Sequence, residues 1–155
     1  MASFLFNTAK VKLLQSTFNL GNTTNLGVRL VNYTGGPTAT STNTASVVAD
    51  LAALNIPDAS GVTPVTGLYA EIDNPGNGEV IISFNNSSGA VTDNNPANGV
   101  TSTTWTSVTT TANGAVIYSV TGNHVIAFID FGSPKSASNG NFTINWDTTG
   151  VIGWN

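Results

Sequence analysis

The sequence contains no cysteine, which excludes disulfide staples and thiolate metal sites and leaves packing to hold any core together. Charge is scarce as well. Lys, Arg, Asp and Glu make up 8% of the 155 residues, against roughly 25% in an average soluble protein. The four basic residues, Lys10, Lys12, Arg29 and Lys135, are too few for the phosphate-neutralising stripe that nucleic-acid binding requires. Long apolar runs are missing too. None approaches the roughly 20 residues that cross a bilayer as a helix, and Met1 to Leu14 interrupts its apolar residues with Lys10 and Lys12, so neither a membrane span nor a signal peptide is expected. Neither nucleic acid nor membrane is therefore an expected partner.

Neutral polar residues stand where charge is missing. By count there are 23 Thr, 20 Asn and 14 Ser beside 16 Gly. Thr favours strands, whereas Asn and Gly favour tight turns, so the composition reads as mainly β. Disordered chains combine high net charge with few β-branched and aromatic residues. Here the net charge is only -4 and the hydrophobic fraction is 40%, so a packed chain is expected, of a size that fits a single domain over residues 1–155.

Phe4, Leu5, Ala9, Leu13 and Leu14 recur at roughly helical spacing, which predicts a short helix over 5–15 with Asn7 and Thr8 available as caps. Leu26, Val28 and Leu30 alternate with Gly27, Arg29 and Val31 as in a half-buried strand. A Thr/Ser/Asn run over Thr38 to Ala45 precedes Ser46 to Leu54, whose Ala and Leu content predicts a second helix at about 46–54, closed by Pro57. Beyond Val62 the pattern is strand and turn. Strands are expected at Gly67–Asp73, Glu79–Phe84, Thr101–Thr111, Ala115–Thr121, Val125–Phe131 and Asn141–Asp147, with turn-forming residues between them. Asn113-Gly114 reads as a type I′ hairpin, and Thr101 to Phe131 as three consecutive antiparallel strands. The expected fold is thus an antiparallel β-sandwich or jelly-roll-like barrel with one or two short helices. Such sheets usually guard their edges with charge. This chain has little, so either its own loops and helices or a neighbouring molecule must cover them.

Sites for chemistry are sparse. Asp130-Phe131-Gly132 copies a kinase metal-binding tripeptide without the Gly-rich loop, strand lysine or catalytic loop that a kinase needs. His124, the single histidine, precedes an apolar strand at a turn and has no partner signposted for general-base work. Glu71, Asp73, Asn74, Asn77 and Glu79 gather oxygen ligands around a Pro75-Gly76 turn, but any hairpin turn uses these residue types and their spacing is not that of an EF-hand loop. Asn22-Thr23-Thr24, Asn32-Tyr33-Thr34, Asn85-Asn86-Ser87 and Asn141-Phe142-Thr143 match the glycosylation sequon, as a composition so rich in Asn and Thr dictates. Trp105 and Trp146 fall within strands and are expected in the core. The tail carries Val151, Ile152 and Trp154 between pliable glycines, which suits either a closing strand or an aromatic anchor on a neighbouring subunit. The chain is expected to be no enzyme, with no cofactor and no metal.

Asn7, Lys10 and Leu13, then Phe18-Asn19-Leu20 and the strand ending in Asn32-Tyr33-Thr34, form the first half of a longer pattern. Its second half comprises Thr104-Trp105, Thr110-Thr111-Ala112, Ala115-Val116-Ile117-Tyr118, Ile129-Asp130-Phe131-Gly132, Ser138-Asn139-Gly140, Phe142-Thr143-Ile144-Asn145-Trp146-Asp147 and Gly150-Val151-Ile152. In these residues the chain resembles a group of small tailed-phage virion proteins. Residues Thr38 to Asn98 depart from the pattern. The resemblance implies a structural part of the particle, first a capsid cement or decoration protein that binds the major capsid protein on the capsid exterior and self-associates, as a trimer. The alternative it leaves open is a head-fibre or tail-fibre module that binds host-surface glycans. Phe4, Phe6, Val151, Ile152 and Trp154 are the expected partner contacts.

Overall fold

The computed structural model describes residues 3–15, 25–34, 45–73, 80–86, 102–146 and 152–154, with backbone alone at Asn25 and over 66–73, 80–86 and 152–154. The fold is mainly β, as the composition predicts. Strands β1 (Phe4–Leu5), β2 (Asn25–Val31), β3 (Val65–Asp73), β4 (Val80–Asn86), β5 (Ser102–Ser119), β6 (His124–Asn145) and β7 (Ile152–Trp154) form one sheet of order β1-β6-β5-β2-β3-β4-β7. Every pairing is antiparallel. Helix α1 (Asn7–Leu14) follows β1, and the single-turn α2 (Asp50–Ala53) lies between β2 and β3.

The sheet is dominated by the β5–β6 ribbon, whose strands run for 18 and 22 residues, well beyond the usual strand length of about 5–6. The ribbon does not run straight. Its pairing register shifts between Trp105 and Val108, Val108 and Thr110, Ala112 and Gly114, and Ile117 and Tyr118, and such bulges bend the bulged strand and increase its twist. Trp105, Phe142 and Ile144, from the open end of the ribbon, pack with Leu26, Val28, Leu30, Ala115, Ile117 and Ala127 in one core. The distal half therefore lies back across the sheet it grows from. The layering of a sandwich is made by one continuous sheet folded on itself.

The opposite face of the sheet carries a second core. Val31, Val116, Val125 and Phe128 meet Phe6 and Ala9 of the α1 segment and Leu51 and Ile56 around α2. The rings of Phe4 and Tyr33 close on Phe128 at 5.3 and 5.5 Å between centroids. The proximal part of the ribbon, β5 from Gly114 and β6 to Asp130, is thus covered on both faces. Gly114 is required there by close approach, since a Cβ would sit 2.7 Å from the Ile129 carbonyl oxygen.

Several sequence expectations change. Asn113-Gly114 is not a hairpin turn: β5 continues through it across a bulge, and the expected three strands from Thr101 to Phe131 are the two long ones, turning at Val120–Asn123. The Asn113 side chain instead accepts from the Tyr33 N–H and donates to the Tyr33 carbonyl, both at 2.9 Å. A side chain that brackets a neighbouring backbone in this way removes the need for a turn. Likewise the loop expected over Gly132–Gly140 is strand. Its turn residues produce a bulge, Phe131 to Pro134 standing opposite Asn113 alone. The Gly132 N–H donates to Asp130 Oδ1 at 2.8 Å, an Asx turn that opens the bulge, and Gly132 takes the left-handed conformation at φ 72°.

The helices are shorter than expected. Phe4 and Leu5 pair with Phe128 and Ala127 as β1, so α1 starts only at Asn7, and no side chain caps it; the Thr8 hydroxyl donates instead to the Ala45 carbonyl at 2.6 Å. Helix α2 is one turn because Val47 is held in a bridge to His124. Asp50 Oδ2 accepts from the N–H groups of Ser46 and Val47 at 2.8 and 3.0 Å, in the manner of a reciprocal cap. These bonds hold the Asp50 carboxyl below its ordinary range.

Candidate interaction surface

The distal half of the ribbon offers a long regular surface. Along β5, Thr103, Trp105, Thr110 and Ala112 are buried, while Thr106, Ser107, Thr109 and Thr111 are exposed. Along β6, Phe142 and Ile144 are buried, and Ser136, Ser138, Asn141, Thr143 and Asn145 are exposed. Strand alternation thus sorts apolar side chains inward and neutral polar ones outward. The outer face is ordered by its own hydrogen bonds: Thr104 to Thr143 at 3.0 Å, Thr111 to Ser136 at 2.8 Å, and the Asn139 N–H to Thr109 Oγ1 at 3.0 Å. Lys135, the one charged residue in this half of the ribbon, pairs with Ala112 and so stands on the opposite face.

The two long edges of this half are treated differently. On the β5 side, the chain around Ser60–Thr63 lies alongside: the Thr110 hydroxyl donates to the Ser60 carbonyl at 2.7 Å and Trp105 Nε1 donates to the Thr63 carbonyl at 2.9 Å. Gly61, at φ 77°, lets that segment approach until a Cβ would sit 2.6 Å from the Thr109 carbonyl. On the β6 side, β1 pairs only with Ala127 and Phe128. Among the described residues no strand pairs with the outer edge of β6 beyond them. A groove of about 540 Å³ opens along this edge, lined by Phe131, Lys135, Ser136, Asn141, Phe142, Thr143 and Ile144, all from β6 itself.

Most of the ionisable groups described in the proximal half are tied into the fold. Tyr33 donates to Asp130 Oδ1 at 2.7 Å. Burial, reinforced by that carboxylate, pushes the Tyr33 hydroxyl up to about 12. Burial raises Asp130 as well, but received hydrogen bonds, among them those of Gly132 and Tyr33, hold it below the ordinary range. Arg29 forms a two-point ion pair with Asp58, Nε donating to Oδ1 at 2.9 Å and Nη2 to Oδ2, and lies 5.4 Å above the Tyr118 ring. That carboxylate holds the guanidinium above its ordinary value. Lys12 Nζ comes within 3.0 Å of His124 Nδ1 across the hairpin end. His124 is half-buried there, against Gly122, as the first residue of β6.

Of the expected contact residues, the two phenylalanines lie in the core. Phe6 is fully buried and Phe4 half-buried, with ring centroids 5.3 Å apart in the core beside Phe128. The apolar side chains that α1 exposes are Val11 and Leu14, at 50% and 79%. Their helical spacing was compatible with burial, but β1 fixes the start of α1 and turns that side outward. Ile152 and Trp154 belong to β7 and pair through the backbone with Ile82 and Val80, the closing strand of the sheet; Val151 lies outside the described residues. Trp105 is buried, as expected, and Trp146, half-buried, donates from Nε1 to Thr103 Oγ1 at 2.9 Å. Of the oxygen-rich turn, Glu71 and Asp73 lie on β3 with backbone alone described, and Asn74, Asn77 and Glu79 fall outside the described residues, as do Asn22 and most of the Thr38 to Ala45 and Asn85 to Gly99 runs. Among residues whose side chains are described, no group of three or more acidic or histidine side chains is placed to hold a metal ion. No described helix is long and apolar enough to cross a membrane.

Comparison with family models, curated proteins and solved structures gives no match to this chain.

Proposed function

We propose that the protein is a non-enzymatic structural component of a phage virion, a capsid cement or decoration protein that binds the major capsid protein from the outside and strengthens the shell. The observation that carries this reading is the outer face of the distal ribbon. It is long, regular and almost uncharged, and its Thr and Ser hydroxyls are already aligned by cross-strand hydrogen bonds. A shell-stabilising protein needs such a rigid contact face and no chemistry. Neutral hydroxyl and amide groups hydrogen-bond a partner without the desolvation cost of buried charge, and contacts built from them resist changes of salt. The virion resemblance of Thr104-Trp105, Thr110-Thr111-Ala112 and Phe142 to Asp147 falls largely on the same ribbon. Self-association belongs to this proposal.

The test is to mix the purified chain with emptied tailed-phage shells and sediment them. Co-sedimentation at stoichiometric copy number, unchanged between about 50 and 500 mM salt as neutral contacts predict, is the expected result. A chain that ignores shells and instead binds host cells or surface glycans would overturn the cement reading in favour of a fibre module.

A further inference from the structure

The outer edge of β6 is guarded at one end only. Asp130, Pro134 and Lys135 stand at its start, and from Ser136 to Asn145 it carries no charged residue and no proline. Natural sheets block long edges with those residues, because a row of free N–H and C=O groups is a template for another strand. The β5 edge of the same ribbon is covered by Ser60 to Thr63, so among the described residues the chain's own packing protects one edge and leaves the other unpaired.

We propose that a second copy of this chain occupies this edge, β6 pairing antiparallel with the β6 of its copy about a two-fold axis, so that the two sheets join into one. The charge pattern selects this occupant. Two-fold pairing sets the segment against its own image, so a charge near the axis would face a like charge at close range, and residues 136–145 have none. With the axis through the Asn141 pair, Asn141 of each chain faces Asn141 of the other, an amide pair able to hydrogen-bond across the seam. The two Lys135 side chains then lie at opposite ends of the contact. The groove lined by Phe131, Phe142 and Ile144 runs beside the same segment and supplies apolar area that backbone pairing alone lacks. An isologous contact closes after two chains. The free protein is therefore a dimer, rather than the trimer that the resemblance implies, whether or not it binds a shell.

The test reads the mass of the free chain by light scattering, for the native protein, for Asn141→Lys and Ser138→Lys on the edge, and for Thr106→Lys on the exposed face of the paired strand. The native chain and Thr106→Lys are expected as dimers, with each edge lysine weakening the dimer tenfold or more. Because the chain has no cysteine, a single Asn141→Cys can form a disulfide only with another copy, and it should oxidise to a covalent dimer while Thr106→Cys does not. If an edge lysine variant loses its native circular dichroism spectrum, the cross-link decides. A native monomer or trimer overturns the proposal. So does a dimer untouched by folded edge-lysine variants, or, where those do not fold, one that Asn141→Cys fails to cross-link.

Discussion

The two halves of the β5–β6 ribbon share strands but not surroundings. The proximal half, Gly114 to Ser119 with His124 to Asp130, has β2 on one side, β1 on the other and packed side chains on both faces. The distal half has one packed face, one covered edge, one edge unpaired among the described residues, and an outer face of Thr, Ser and Asn. The same strand-forming composition therefore does two jobs, and position in the sheet decides which. Where both faces are covered, a residue is held by volume and shape; where one face and one edge are open, it is held by alternation alone and is free to serve a contact.

That contrast predicts a gradient of mutational cost. The largest effect is expected for Phe128→Ala, which empties a fully buried site shared with Phe4 and Tyr33 and should cost about 3–5 kcal/mol; urea unfolding should show a much lower midpoint, while Thr106→Ala on the distal face stays within about 0.5 kcal/mol. Equal costs for the two would break the comparison. Next come two glycines. Gly114→Ala puts a Cβ 2.7 Å from a backbone oxygen, whereas the same change at Gly140 meets its nearest atom at 3.7 Å, so thermal unfolding should register a loss of about 1–3 kcal/mol at the first and little at the second.

A smaller effect, about 1 kcal/mol, is expected for Tyr33→Phe, which removes the hydrogen bond to Asp130. Its signature is in pH. The Tyr33 hydroxyl titrates at about 12 in the folded chain against an ordinary 10, so the folded state holds the proton more tightly. Its contribution is complete below pH 10 and lost as pH rises towards 12; denaturation measured across that window should be flatter in Tyr33→Phe. The smallest effect concerns Asp50, whose carboxyl is lowered by the Ser46 and Val47 N–H groups. There the sign reverses: the contribution is present above the ordinary carboxylate range and lost as pH falls below it, and Asp50→Asn should blunt that acid sensitivity in a pH titration of the unfolding midpoint.

Much of the fold was legible because strand alternation is a local property. Leu26, Val28 and Leu30, and Phe142 and Ile144, declare their buried face by period alone, and Trp105 its core position by lying within a strand. The missed features depended on partners distant in sequence. Asn113-Gly114 has the chemistry of a hairpin turn, but Tyr33 engages the Asn113 amide and β6 runs past Gly114, so the strand continues. Gly132 and Pro134 have the chemistry of a loop, but pairing on both sides of them confines them to a bulge. Of the candidate surface, the neutral polar composition was visible beforehand, but not which edge would remain open, since that turned on Ser60 to Thr63 folding against β5.

By itself the sequence determined the strand-rich class, the absence of disulfides and the poverty of charge, because these follow from composition and short-range periodicity. Only the tertiary structure decided that two long strands would fold one sheet back on itself, that Phe4 and Phe6 would be drawn into the core, and that the far edge of β6 would be unpaired among the described residues. Those outcomes depend on contacts between segments far apart in the chain, whose energies no local pattern encodes.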